Sequence, residues 1–135
     1  MIKGLGHVCL TVKDLEASVA FYRDKLGLAE AFDFIRDGRR HGVYLHAGGR
    51  NFLELFEGPL DPPAPRQRFR HFCLEVDDIH AAVQQLRAAG LETSEVEPTQ
   101  DGSLHAWLAD PDGNRVELLA YTPNSQTIKN AGLAG

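Results

Sequence analysis

Gly6-His7-Val8-Cys9-Leu10-Thr11-Val12 alternates without a break, the pattern of a strand with two unlike faces. Val8, Leu10 and Val12 form its apolar face; His7, Cys9 and Thr11 form the other. Arg70-His71-Phe72-Cys73-Leu74-Glu75-Val76 repeats the pattern, with His and Cys again on the less apolar face. His71 follows His7 by 64 residues (71 − 7), close to half of the 135-residue chain. A self-similarity of that period decides the architecture before any single element does.

The repeat extends outward from the two strands. Asp14 before Leu15, and Asp77 or Asp78 before Ile79, each place an acidic N-cap ahead of an apolar residue, and Gly27-Leu28 and Gly90-Leu91 each close a helix. Phe52-Leu53-Glu54-Leu55-Phe56 matches Arg115-Val116-Glu117-Leu118-Leu119, with Glu117 following Glu54 by 63 residues (117 − 54). Each half opens on a His strand and ends on a Glu strand.

In order, the pattern predicts a strand over 5–12, a helix from Leu15 to Leu26, and strands over 29–36, 42–47 and 51–57. The second half predicts a strand over 69–76, a helix from Asp77 or Asp78 to about Ala89, and strands over 91–97, 103–109 and 114–121. The fold class is α+β, two βαβββ modules at 1–57 and 68–121. A linker, 58–67, carries Pro59, Pro62, Pro63 and Pro65. Residues 122–135 are polar and unpatterned, expected as a mobile tail or a strap over a neighbouring subunit. Asp110-Pro111-Asp112-Gly113-Asn114 reads as a hairpin turn rather than a fragment of a calcium loop.

Composition narrows the partners. The net charge is −5 with no basic run, so nucleic acid is not an expected partner. No apolar stretch is long enough for a membrane span or marks a signal peptide, and the two cysteines do not suggest a secreted disulfide framework. The expected compartment is the cytoplasm.

Alternation separates a core from a site. One parity collects Val8, Leu10, Val12, Leu53, Leu55, Phe72, Leu74, Val76, Val116 and Leu118, which pack on the helices. The other collects His7, Cys9, Thr11, Phe52, Glu54, Phe56, His71, Cys73, Glu75, Arg115, Glu117, Leu119 and Tyr121. In curved sheets that face lines a hollow with two His and two Glu directed inward. Carboxylates there need compensation. One solution is a divalent cation held by His7, Glu54, His71 and Glu117, a donor set suited to zinc, nickel, cobalt, manganese or iron. The other is a pair of internal His–Glu hydrogen bonds with no metal. Cys9 and Cys73 read as small buried residues, or as soft ligands. His41, His46, His80 and His105 read as surface or structural, and Arg23, Arg36, Arg39 and Arg40 as solvated charges, with contact to an anionic substrate as the alternative.

These motifs resemble the vicinal oxygen chelate superfamily, and glyoxalase I within it. The resemblance rests on His7 in Gly-His-Val-Cys-Leu, Phe21-Tyr22 ahead of Leu26-Gly27-Leu28, and Glu54 in Leu-Glu-Leu. It rests also on His71 in Arg-His-Phe-Cys-Leu and on the run from Asp110 through Glu117 to Leu118. It implies modules paired into a curved eight-stranded mixed sheet. One divalent ion per site is implied, nickel, cobalt or zinc first and iron or manganese as alternatives, with a small-molecule substrate and a homodimer whose chains share each site. The implied reaction is a lyase or isomerase step. A hemithioacetal of a 2-oxoaldehyde and a thiol becomes a 2-hydroxyacyl thioester, with Glu117, and Glu54 as its opposite number, moving the proton. Phe52, Phe56, Cys9, Cys73, Leu119 and Tyr121 would line the substrate pocket. Extradiol dioxygenases, epimerases, thiol transferases and non-catalytic ligand-sequestering proteins of the same superfamily are the alternatives. Thr11 and Gly58 stand where glutathione-using members carry Arg and Asn, so another thiol fits the resemblance as well.

Overall fold

A computed structural model describes residues 1, 3–62 and 68–133. The chain divides into two compact units, Met1–Gln67 and Arg68–Gly135. The linker's residues 63–67 lie outside the described residues.

Unit 1 runs β1 (His7–Val12), α1 (Leu15–Val19), a π-helical turn (Ala20–Lys25), β2 (Ala29–Arg36), β3 (Arg39–His46) and β4 (Phe52–Glu57). The strands form one sheet in the order β1-β4-β3-β2. β1 lies parallel to β4, and the other pairs are antiparallel. Unit 2 runs β5 (Phe72–Glu75), α2 (Ile79–Ala88), β6 (Glu97–Pro98), β7 (Leu104–Ala109), β8 (Arg115–Ala120) and α3 (Gln126–Ala131). Its sheet repeats the topology in the order β5-β8-β7-β6. The eight strands thus hydrogen-bond as two mixed sheets of four, one βαβββ module in each unit.

The helix ends follow from their residues. Asp14 and Asp78 are both extended at the N-cap, and each carboxylate accepts from the backbone N–H three residues on at 3.0 Å. Gly27 and Gly90 take φ of 80° and 82°, a conformation that side chains resist, and stop the helices. The core parity packs as alternation requires in β4 and β8 and at Leu10 and Val12, whereas Val8, Phe72, Leu74 and Val76, expected on the same face, are only half-buried. Leu10, Val12, Val43, Leu45, Leu53 and Leu55 are buried with Leu15, Val19 and Tyr22, while Val116, Leu118, Ala106 and Leu108 are buried with Ile79, Val83 and Leu86. Among the described residues, no helix is long and apolar enough to cross a membrane.

Four expectations need correction. The first helix stops being α-helical at Val19. Its widened turn, with the Leu26 N–H donating to the Phe21 carbonyl at 3.0 Å, lets the adjacent Phe21 and Tyr22 both be buried. The strand expected over 91–97 shrinks to Glu97–Pro98. There the Ser94 hydroxyl accepts the Trp107 N–H at 2.8 Å and stands in for a ladder carbonyl, and Pro98 has no N–H to give. The strand expected to include His71 begins one residue later, at Phe72. The tail is not free: α3 is tied to unit 2 where the Gln126 N–H donates to the Asp101 carbonyl at 2.7 Å and the buried Ser103 and Ser125 hydroxyls bond at 2.8 Å.

Candidate functional site

Each unit brings the histidine ahead of or opening its first strand to a glutamate on the face turned away from its helices. In unit 1, β1–β4 register pairs Cys9 with Glu54 and His7 with Phe52, so imidazole and carboxylate meet diagonally across parallel strands. His7 Nε2 stands 3.8 Å from Glu54 Oε2. The opposite ring nitrogen, Nδ1, lies 2.9 Å from the Tyr44 hydroxyl, and Tyr44 is the register partner of Glu54 on β3. In unit 2, Cys73 pairs with Glu117, and His71 Nε2 stands 3.1 Å from Glu117 Oε2. The other oxygen, Oε1, lies 2.8 Å from His105 Nδ1. Both carboxylates are largely covered, with side chains 18% and 14% exposed.

The remaining expected pocket residues share these faces. Phe52, Phe56, Leu119 and Tyr121 are all half-buried. Phe52 stacks on Tyr44 at 5.0 Å, and Phe56 touches Phe34 at 4.7 Å and His41 at 5.3 Å. Burial, followed by the nearby charge of Glu75, raises the Tyr121 hydroxyl pKa. Cys9 and Cys73 are exposed, correcting the expectation of burial, because they lie on the site face and not under a helix. Partial desolvation still raises both thiols, Cys9 to about 11 with help from its Glu54 hydrogen bond, and Cys73 to about 12 with help from the charges of Glu117 and Glu75. Thr11 and Gly58 prove to be neighbours: a Cβ on Gly58 would stand 3.2 Å from the Thr11 methyl.

Three side chains at these pairs escape the spacing argument. Tyr44 and Trp107 occupy the same place in the two sheets, opposite Glu54 and Glu117. Trp107 meets the rings of His71 at 4.8 Å and His105 at 5.6 Å edge-on, and the Arg115 guanidinium lies 4.2 Å from its centroid. His105, grouped by sequence with the surface or structural histidines, holds Glu117. The signal available was parity: β7 alternates Leu104-His105-Ala106-Trp107-Leu108, with buried Ala106 and Leu108 on the core side. His41 reaches its face by a different route. Ile35 pairs with Arg40 and Phe34 with Gly42, so His41 is an extra residue in a bulge that turns its ring toward Phe56. The other histidines behave as read: His80 is exposed on α2, and His46 Nε2 bonds the Gly49 carbonyl at 3.0 Å in its own turn. Asp110 also behaves as read, its carboxylate accepting from the Asp112 and Asn114 backbone to close the hairpin.

Among the described residues, no group of three or more His, Cys, Asp and Glu is arranged to hold a metal ion. What each unit supplies is a pair. The chemistry of the pair fits a borderline divalent ion: an imidazole Nε2 and a carboxylate Oε2 side by side, with the far atom of one partner already engaged by a protein group.

Known proteins resemble this chain. An Escherichia coli protein named YaeR is 32% identical over 126 residues, covering 87% of this chain and 95% of that protein. A lactoylglutathione lyase of Haemophilus influenzae is 28% identical over 131 residues, covering 92% and 97%. The crystal structure of SMU.1112c superposes with a TM-score of 0.78 at 30% identity, covering 88% of this chain and 99% of that one. Residues 4–118 match the Glyoxalase/Bleomycin resistance protein/Dioxygenase superfamily, and the chain belongs to that family.

Proposed function

We propose that this protein is a metal-dependent lyase of the glyoxalase I type. It would convert the hemithioacetal of a 2-oxoaldehyde and a thiol into a 2-hydroxyacyl thioester. The observation that carries the reading is the doubled His–Glu pair, His7–Glu54 and His71–Glu117, each braced by a third side chain. Two donors do not complete a coordination sphere, so all four are assigned as ligands to one ion per chain, in a homodimer. Nickel, cobalt or zinc suits imidazole and carboxylate best, with iron or manganese next.

A divalent ion held by His7, Glu54, His71 and Glu117 would supply Lewis-acid polarisation of a substrate oxygen. The protein groups do the rest. Glu54 and Glu117 are the carboxylates available to take a proton from C1 and return it at C2. Phe52, Phe56, Leu119 and Tyr121 keep water from the reacting carbons. Cys9 and Cys73 line the same faces as protonated thiols. Thr11 and Gly58 offer no cation or amide to a glutathione carboxylate, which favours a different thiol.

The test is metal analysis joined to an activity screen. Protein loaded with nickel, cobalt or zinc is expected to retain about one ion per chain and to form thioester from methylglyoxal and a panel of thiols. Protein that retains no ion and forms no thioester with any of them overturns the reading. The family's own description also spans dioxygenases and resistance proteins. Oxygen uptake with Fe(II) and a catechol, without thioester formation, would move the protein to the first of these. Tight binding of a ligand left unaltered would move it to the second.

A further inference from the structure

We propose that His105 is a positioning residue, built into unit 2 alone, that aligns Glu117 for metal. The inference rests on the assignment of Glu117 as a ligand and extends it to a group outside the four donors. A carboxylate only accepts, so His105 Nδ1 carries the proton and donates to Glu117 Oε1 across 2.8 Å. That bond leaves Oε2 beside His71 Nε2 at 3.1 Å. The ring of His105 is itself held. It lies edge-on to Trp107 at 5.6 Å, and Trp107 also backs His71 at 4.8 Å and is capped by Arg115. One indole therefore sets the spacing of both imidazoles around a single carboxylate. With one oxygen tied and its strand fixed, Glu117 loses the rotamer freedom that metal binding would otherwise have to freeze.

Unit 1 lacks this device, and its register shows why. His105 lies opposite Leu119, two residues past Glu117, and the matching place opposite Phe56, two past Glu54, is Gly42. The Phe56 ring fills that space: a Cβ on Gly42 would meet two of its atoms at 2.5 and 2.6 Å. Glu54 accordingly stands farther from its histidine, at 3.8 Å.

The test compares His105→Phe, which keeps a ring against Trp107 without a donor, with His105→Asn, whose amide nitrogen can occupy the Nδ1 position. Nickel and zinc affinities are measured by chelator competition, and folding by thermal unfolding of the metal-free proteins. The Phe variant is expected to bind roughly 10–100-fold more weakly, the usual loss when a metal ligand's supporting partner is removed. The Asn variant is expected to recover most of that loss, and His80→Ala to bind as the wild type does. In a Glu117→Gln background, His105→Phe is expected to weaken binding no further. Should the Phe variant not fold, His105→Ala takes its place. Wild-type affinity in a folded His105→Phe protein, or an Asn variant no better than Phe, overturns the positioning role alone. A wild-type protein that binds neither ion overturns the ligand assignment and this role together.

Discussion

Around Glu54 the neighbours are rings. Phe32, Phe34, Tyr44, Phe52 and Phe56 touch in sequence across β2, β3 and β4, with centroids 4.7–5.1 Å apart. Around Glu117 the neighbours are imidazoles on both carboxylate oxygens, with a single indole behind them. The two halves share topology, helix caps and the His–Glu diagonal, yet one sets aromatic rings beside its pair, with the Tyr44 hydroxyl on His7, and the other sets a second imidazole on its carboxylate. A duplicated scaffold thus keeps what the sheet requires and lets the site face diverge. The unit 1 face offers aromatic surface to an organic group, and the unit 2 face offers donors to an oxygen atom.

The largest effect that can break this comparison comes from the glutamates themselves. Glu54→Gln and Glu117→Gln are each expected to lower kcat/KM by roughly 10²–10⁴-fold, the range for a lost general base. They are expected to differ in metal retention. Glu117→Gln places an amide where the His105 N–H needs an acceptor, so it should lose more affinity than Glu54→Gln, whose contact with its histidine is longer. Equal losses, read by elemental analysis after dialysis, would show that the two pairs are equivalent despite their surroundings.

Next in size is Gly42, where unit 1 trades a side chain for the Phe56 ring. Gly42→Ala sets a Cβ 2.6 Å or less from two ring atoms and 2.8 Å from the Leu55 carbonyl oxygen, so the ring or the strand must move. Overpacking of this kind costs about 1–3 kcal/mol. A lowered urea midpoint is expected, with metal affinity changed less than by His105→Phe. An unchanged midpoint would mean that Phe56 has room to turn away, and that the aromatic wall is loose.

The parts of this arrangement that were legible in sequence are those governed by period. Alternation located the two sheet faces, and the repeat located His7, Glu54, His71 and Glu117 as corresponding residues, because a strand's side chains have only two directions. What escaped were features that depend on cross-strand register and not on period. His105 looked solitary because its equivalent is Gly42, so the repeat offered no partner to flag it. Tyr44 and Trp107 occupy matching positions but share neither size nor hydrogen-bonding capacity, and His41 reaches the face only through a bulge. Strand 91–97 was lost to a serine hydroxyl that mimics the ladder, which no apolar pattern encodes. The tail gave no amphipathic signal because hydroxyls and one carboxylate, not an apolar stripe, hold it.

That carboxylate yields the smallest expected effect and the most local one. Asp101 accepts from the Thr127 and Thr99 hydroxyls and from Ser103, and these bonds hold its carboxyl well below the usual carboxylate range. A pKa lower in the folded than in the unfolded chain means that the ionised form favours folding. The contribution is fully present above the unfolded value of about 3.9 and is lost as pH falls below it toward the folded value. Asp101→Asn is therefore expected to speed hydrogen exchange at the α3 amides, residues 126–131, at neutral pH. The wild type should show the same loosening only below about pH 4. No counterpart of α3 follows β4 among the described residues of unit 1, so exchange in β1–β4 should not respond to the substitution. Slowed or unchanged exchange at α3 would place the anchor instead on the buried Ser103–Ser125 bond, which carries no charge and would give the segment no dependence on pH.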